Sequence, residues 1–583
     1  MGAGSLLWSL DEAITNLLAS WNSYSTGLAT VLIGVAIYRV ASMRDPDVHP
    51  ILLARQAEHN RIRNPDESPV YGSRFTEHLT TGLNVRDPPA PGQQQRTAPW
   101  ARGRDGDLRD VWNQVLLGAE PATRLAMMVA QGGEGEVQQQ RRVKGRLVTV
   151  LGDAVVESKG GRSTRGRRFL VCVCYANKHT GCILEDVDHQ ISAIGSHLAS
   201  NGAKRVAICL PNSVEFVAAL FACSFQLITP ILVPSGQQPS TLVSMLRDAG
   251  ADTVLAEPGM FPIDAVAAAL PDLRRVLWVT VQGNEHHLDL DKPPAAHVSA
   301  TTWQDIVAAA TPQKTAQQAE RHKDKDVVPP EVVMFWQSKG QDGNAQYKAV
   351  EYSQANLVAG IAGQLEALPS MVPRDDVLLP ADSLANAHTL VVTLAALFAN
   401  ASVAFNAAAA TECSNLDLAQ LTGSGMLRPT IIVTSPATLI KAHSAYAAKL
   451  SSSMFARLSH WYLTRSLVQE GRMPTSSIAA QGDVGSGLRL IITADRAGSD
   501  TTPALSSAIL SDLRVATGAR IVYALAAAPV AGAVAQRMAF DYRVINGEAV
   551  AHFGGPLQCL RFFLKDTESV RNSDEKYQGE VSR

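Results

Sequence analysis

From about residue 147 onward, short runs rich in Val, Ile and Leu alternate with Ala-rich amphipathic stretches. Residues 206–210 read as a strand, 213–223 as a helix, 229–233 as a strand and 239–249 as a helix. Residues 253–256, 263–270 and 276–281 continue as strand, helix and strand. Strands that are apolar on both faces belong in parallel sheets covered by helices. A polar connector spans residues 313–328, and the rhythm resumes at Val332 and runs to about residue 565. The pattern predicts an α/β fold of two packed, parallel-rich sheet subdomains. A distorted smaller sheet is expected near residues 540–582.

The first 146 residues follow a different pattern. Residues 24–38 carry no charge; Asp11 and Glu12 precede them, and Arg39 and Arg44 follow. With its flanks this segment is about 17 residues, or ~25 Å as a helix, slightly short of a ~30 Å hydrocarbon core. It is expected to be an N-terminal membrane anchor within residues 1–45, with the chain after it cytosolic. The alternative is a buried or interfacial amphipathic helix. Residues 46–146 look linker-rich, with Pro88 to Gln95 and Gly132 to Gln140 as weakly structured runs and a short helix at residues 108–117. Basic residues cluster from Arg141 to Arg168, either against anionic lipid or as solvated loops. The main domain is expected over residues 147–583.

Composition narrows the class. A chain of 583 residues exceeds one compact core. A net charge of −2 argues against a nucleic-acid partner. Seven scattered cysteines and no signal peptide suggest a reducing compartment. Cys172, Cys174, His179 and Cys182 could be weighed as zinc ligands, but alternating Val-Cys-Val-Cys reads more simply as strand, so no stable metal site is expected.

The strongest chemical signal runs from Val332 to Leu357. An apolar strand (Val332 to Phe335) leads into a Gly-containing polar loop, then Lys348 and a helix start at Ser353. Such an order cradles phosphates with backbone N–H groups and neutralises them with a cation. Ser338, Gly340, Gly343 and Lys348 are the candidate phosphate residues; Lys348 is otherwise a solvated loop lysine. Asp342 opposes that role. At ~4 Å from a phosphate charge it costs about 4 kcal/mol at an effective dielectric of about 20, against about 1 kcal/mol for a hydrogen bond.

Further motifs occur in order. Pro211-Asn212-Ser213 with Glu215 and Phe216, Leu384 to His388, Arg428-Pro429-Thr430 to Leu439, Leu488 to Ile491, and Gly555-Pro556-Leu557 to Glu580 together resemble the AMP-forming acyl-CoA synthetase family, in its long-chain branch. The resemblance covers most of residues 180–583. It implies ATP, Mg2+ and CoA as cofactors, and a fatty acid that is adenylated and then passed to CoA. It places Asp495 at the adenine turn, where the family has S-G-G-A-P, and Tyr523 as a ring that stacks on the base. It sets His388 beside the acyl tunnel; the alternative is a partly buried histidine bonded to a backbone carbonyl. It also implies an acyl chain as partner and, for such an anchor, the endoplasmic reticulum membrane as location, while the anchor itself makes membrane lipid an expected partner.

The chain departs from the pattern in several places. The loop threonines are replaced, and Ala526 and Ala527 stand where the family has threonine and the magnesium-linked glutamate. No T-G-D motif or lysine-bearing lid is found before Arg583. Two functions therefore stay open: a membrane-anchored long-chain acyl-CoA synthetase, or a non-catalytic relative that serves as scaffold or lipid-binding protein.

Overall fold

The computed structural model describes residues 15–16, 19, 22–41, 45–54, 56–59, 70–73, 106–117, 147–150, 172–173, 179–180, 184–280, 297–310, 327–339, 345–369, 376–406, 417–418, 429–474, 487–498, 503–544, 550–565 and 580–582. The chain divides into two units, Met1–Asp47 and Val48–Arg583. In the first, Ser23–Ala41 forms helix α1, whose start is capped by the Asn22 side chain accepting from the Ser25 amide at 3.0 Å. Its Leu28, Val31, Leu32, Ile33 and Ile37 side chains are exposed. Among the described residues no helix is long and apolar enough to cross a membrane, which corrects the expected membrane helix. Ser23, Ser25 and Thr26 at one end and Arg39 at the other shorten the apolar run inside this helix.

The second unit is built on two large sheets. The first has seven strands: β1 (Arg205–Cys209), β2 (Thr229–Leu232), β3 (Thr253–Ala256), β4 (Arg275–Trp278), β5 (Ser299–Thr302), β6 (Val332–Lys339) and β7 (Ala345–Tyr352), in the order β5-β4-β3-β1-β2-β6-β7. All pairs are parallel except β6 with β7. The second sheet has ten strands. Its centre is parallel and contains β8 (Val377–Pro380), β9 (Ser402–Asn406), β10 (Ile431–Val433), β11 (Leu490–Arg496) and β12 (Arg520–Ala526), ordered β12-β11-β10-β8-β9. Leu147–Val150 extends it beyond β9, and short antiparallel strands close both edges. A third, antiparallel sheet joins Ala57–His59, Val70–Ser73, Arg561–Lys565 and Glu580–Ser582.

Parts of the region read as linker-rich thus belong to the second unit. Helix α2 (Leu108–Leu117) inserts Leu108, Val111, Trp112 and Val115 into the main core. The Trp112 indole donates to Asp188 at 2.9 Å, in helix α3 (Leu184–Ser200). Two further helices, α4 (Val214–Phe225) and α6 (Ala387–Phe398), are apolar around nearly their whole circumference, and α5 (Gln354–Ala367) lies between them in sequence. A helix of that kind must be buried on all sides. Every residue of α6 is buried, and α4 and α6 join Val206 and Ile208 of one sheet to Leu378 and Val403 of the other in a single core. On the outer face of the first sheet, helices Pro239–Asp248 and Ile263–Ala269 cover Ala207, Val254 and Val333. On the second sheet, the outer layer comprises α7 (Pro436–Ser451), α8 (Met454–Glu470) and α9 (Ser507–Thr517).

Candidate functional site

The predicted phosphate strand is longer than its apolar run. β6 continues past Phe335 to Lys339, and β7 returns antiparallel to it, so Lys348 lies in a strand opposite Trp336 and Ser338 lies opposite Gln346. The polar residues Gln337, Ser338 and Lys339 read as loop in sequence, yet their ladder partners hold them extended. Gly340 and Gly343, with Asp342, lie outside the described residues. Alternation sorts the hairpin by face. Val333 and Phe335 join the outer core. Met334, Trp336, Val350 and Tyr352, on the other face, line a pocket that Phe335 and Gln337 also border. Lys348 shares that face with Trp336 and is exposed, and Ser338 is half-buried. The helix signal at Ser353 holds: its side chain accepts from the Asn356 amide at 3.2 Å and caps α5.

The opposite wall of the pocket comes from the second sheet. Asp382, Ala385, Asn386, His388 and Thr389 follow β8 and open α6, while Ala494 and Arg496 end β11 and Ala526 ends β12. These are carboxyl ends of parallel strands, where open α/β sheets bind ligands. Asn212 fixes this corner from the first sheet. Its side chain donates to the carbonyls of Pro380 (3.1 Å) and Asp382 (2.8 Å) and accepts from the Leu384 amide (2.9 Å).

Asp382 is the electrostatic centre. Its carboxylate accepts from the Ser383 amide at 2.9 Å, Asn386 Nδ2 at 3.0 Å, Thr389 Oγ1 at 3.3 Å and Arg496 Nη2 at 3.1 Å. Beside it, His388 is buried, and its Nε2 has no hydrogen-bond partner among the described residues. Burial pushes the imidazole pKa down to about 4; Arg496 adds to the effect and Asp382 opposes it. The ring is therefore neutral near pH 7.

Asp495 and Tyr523 are brought together, but away from the pocket lining. The Tyr523 hydroxyl donates to Asp495 Oδ2 at 3.2 Å and accepts from the Leu505 amide at 3.2 Å. The ring is fully buried, with its centroid 4.8 Å from that of Phe553. Burial raises the hydroxyl pKa. In this arrangement the ring has no open face to offer a base. Strand alternation accounts for the separation: Ala494 and Arg496 point to the pocket, and Asp495 between them does not line it.

The residues fit the expected cofactors unevenly. An exposed lysine and a hydroxyl on the hairpin suit phosphate. Among the described residues no group of three or more His, Cys, Asp or Glu side chains that could hold a metal by themselves occurs; magnesium takes only one or two carboxylates, with water and substrate phosphates completing its shell. Cys174 and Cys182 lie outside those residues. Trp336, Asp382 and Arg496 are among the site residues that were not singled out in the sequence. Asp382 carried one signal, a carboxylate between a strand and a helix start.

Residues 162–582 match the family model described as AMP-binding enzyme. No curated protein matches. Among solved structures, an anthranilate CoA ligase in complex with anthranoyl-AMP is 15% identical with a TM-score of 0.46, over 67% of this chain and 62% of that one. A benzoate CoA ligase from Burkholderia xenovorans LB400 is 15% identical with a TM-score of 0.44, over 68% of this chain and 65% of that one. The A domain of a carboxylic acid reductase from Segniliparus rugosus, in complex with AMP and a co-purified carboxylic acid, is 13% identical with a TM-score of 0.48, over 69% of this chain and 60% of that one. The chain thus spans less than two thirds of the length of these structures.

Proposed function

We propose a function from one premise: the chain belongs to the AMP-binding enzyme family. The reaction is ATP-dependent activation of a carboxylic acid, as an adenylate-forming ligase that passes the acyl group to CoA. The substrate class is a fatty acid with a long apolar chain. One observation carries this reading. A pocket at the carboxyl ends of β8, β11 and β12 combines an apolar hairpin wall, a cation at Arg496 and an uncharged histidine. Met334, Trp336, Val350 and Tyr352 offer apolar surface to the acyl body. Arg496, already oriented by Asp382, suits the carboxylate. Lys348 and Ser338 on the hairpin suit the nucleotide phosphates, and ATP supplies the leaving pyrophosphate when bound. No step is assigned to magnesium.

A second reading has its own support. Tyr523 is closed against Phe553 and tied to Asp495, and Arg496 is already paired with Asp382. A protein with those contacts could bind an acyl chain without turnover. Exchange of labelled pyrophosphate into ATP, with acids of graded chain length, separates the two. Exchange that depends on a long-chain acid is the expected result. Acid binding without exchange, and no heat on titrating ATP into folded protein, would leave only the non-catalytic reading.

A further inference from the structure

Helix α8 carries an apolar stripe on its outward side. Met454 and Phe455 are 85% and 87% exposed, Leu458 63%, Trp461 57% and Tyr462 40%. Their spacing of three and four places them on one side of the helix. The inward side is well satisfied. Leu467 packs with Val515 and Tyr542, while His460 contacts Asp512 of α9 at 3.0 Å and Tyr446 of α7 at 3.1 Å. The helix is capped by Ser453 at its start and by the left-handed Gly471 at its end. Its outward stripe is therefore presented on a fixed element rather than exposed by fraying.

The charges on that side have one sign. Besides the five apolar residues, the exposed positions of α8 are Arg457, Arg465 and Gln469. Arg465 lies over the Trp461 ring, 5.7 Å from its centroid. The helix's only carboxylate, Glu470, is half-buried and contacts Arg472 at 3.3 Å and Ser466 at 3.0 Å. Trp and Tyr settle at the headgroup level of a bilayer, and an apolar stripe edged by arginine suits an anionic surface.

We propose that α8 docks the second unit onto an anionic lipid surface, with Met454, Phe455, Leu458, Trp461 and Tyr462 entering the interface and Arg457 and Arg465 meeting lipid phosphates. This surface is separate from the pocket and does not depend on the catalytic reading.

The test is co-sedimentation of the full chain with phosphatidylcholine vesicles, with and without phosphatidylserine. Wild-type protein is expected to bind the mixed vesicles more tightly, with a blue shift in tryptophan emission that Trp461→Phe reduces. Arg457→Gln with Arg465→Gln should weaken binding to the anionic vesicles by about 25-fold, at about fivefold per charge. Leu458→Glu with Trp461→Glu should abolish it while the thermal midpoint stays unchanged, because both residues are exposed. Three outcomes would overturn the proposal. One is no binding by wild type. Another is binding that survives the Leu458→Glu and Trp461→Glu pair. The third is a doubled mass in light scattering that this pair removes, which would assign the stripe to a second copy of the chain.

Discussion

His388 is held uncharged by burial, and this makes stability depend on pH. Its folded pKa of about 4 lies below the ordinary 6.5. The unfolded chain therefore takes up a proton between those values that the native chain does not. Stability contributed by the neutral ring is complete above about pH 6.5 and is lost as pH falls toward 4. The whole effect is at most about 3 kcal/mol. His388→Leu should flatten the rise of stability between about pH 4 and 6.5, followed as urea midpoints across a pH series. His552, pushed to about 4 mainly by burial, keeps part of the slope in that variant. An unchanged slope would mean that the His388 ring titrates in the fold as it does in the unfolded chain. Arg496 gives a second residue-scale expectation. If it receives the substrate carboxylate, Arg496→Gln loses a charge-assisted hydrogen bond worth about 1.5–3 kcal/mol. Acid affinity should fall by at least tenfold, whereas a mutant that binds acid as well as wild type would move the carboxylate elsewhere.

At the scale of the element, α5 shows how a close approach overrides propensity. A Cβ at Gly360 would lie 2.3 Å from the Ala531 carbonyl oxygen, which is main chain and cannot rotate away. Alanine normally stabilises a helix interior by about 1 kcal/mol relative to glycine. Gly360→Ala should do the reverse, since overpacking costs about 1–3 kcal/mol. Thermal denaturation checks the sign. Such a contact joins segments far apart in sequence, so no local pattern announces it. The same limit explains what could be read in advance. The β1-to-β4 alternation was legible because each run is short, apolar and bounded by turn residues, and α4, read as a helix from residue 213, is capped there by Ser213. The far half of β6 was not legible, because Gln337, Ser338 and Lys339 look like loop until β7 pairs with them. Helix α2 was legible as a helix, but its place in the main core was not. At the site, Asp382 and Arg496 stand 114 positions apart, and only the adjacency of β8, β10 and β11 brings them together.

For the second unit as a whole, the question is what holds the two large sheets in register around the pocket. α4 and α6 supply the apolar layer, but burial is non-directional and does not fix where β1 stands relative to β8. Two polar contacts do. The Tyr352 hydroxyl at the end of β7 donates to the Ala528 carbonyl just beyond β12 at 2.5 Å. Asn212, 1% exposed, spends both ends of its amide on the turn between Pro380 and Leu384. That turn carries Asp382, so the first sheet positions the acid centre of the second. Asn212→Ala removes three hydrogen bonds and strands buried backbone groups on the turn. The cost should be about 2–4 kcal/mol, at about 1 kcal/mol for each bond lost and more where a buried partner stays unpaired. Asn212→Asp keeps the acceptor for Leu384 but sets a carboxylate against two carbonyls, so it should be no better than alanine. If Asn212 only filled space, Asn212→Leu would restore stability. If it positions the turn, Asn212→Leu should stay destabilised in urea denaturation and should also weaken ligand binding at the pocket, because Asp382 would no longer be held where Arg496 can reach it.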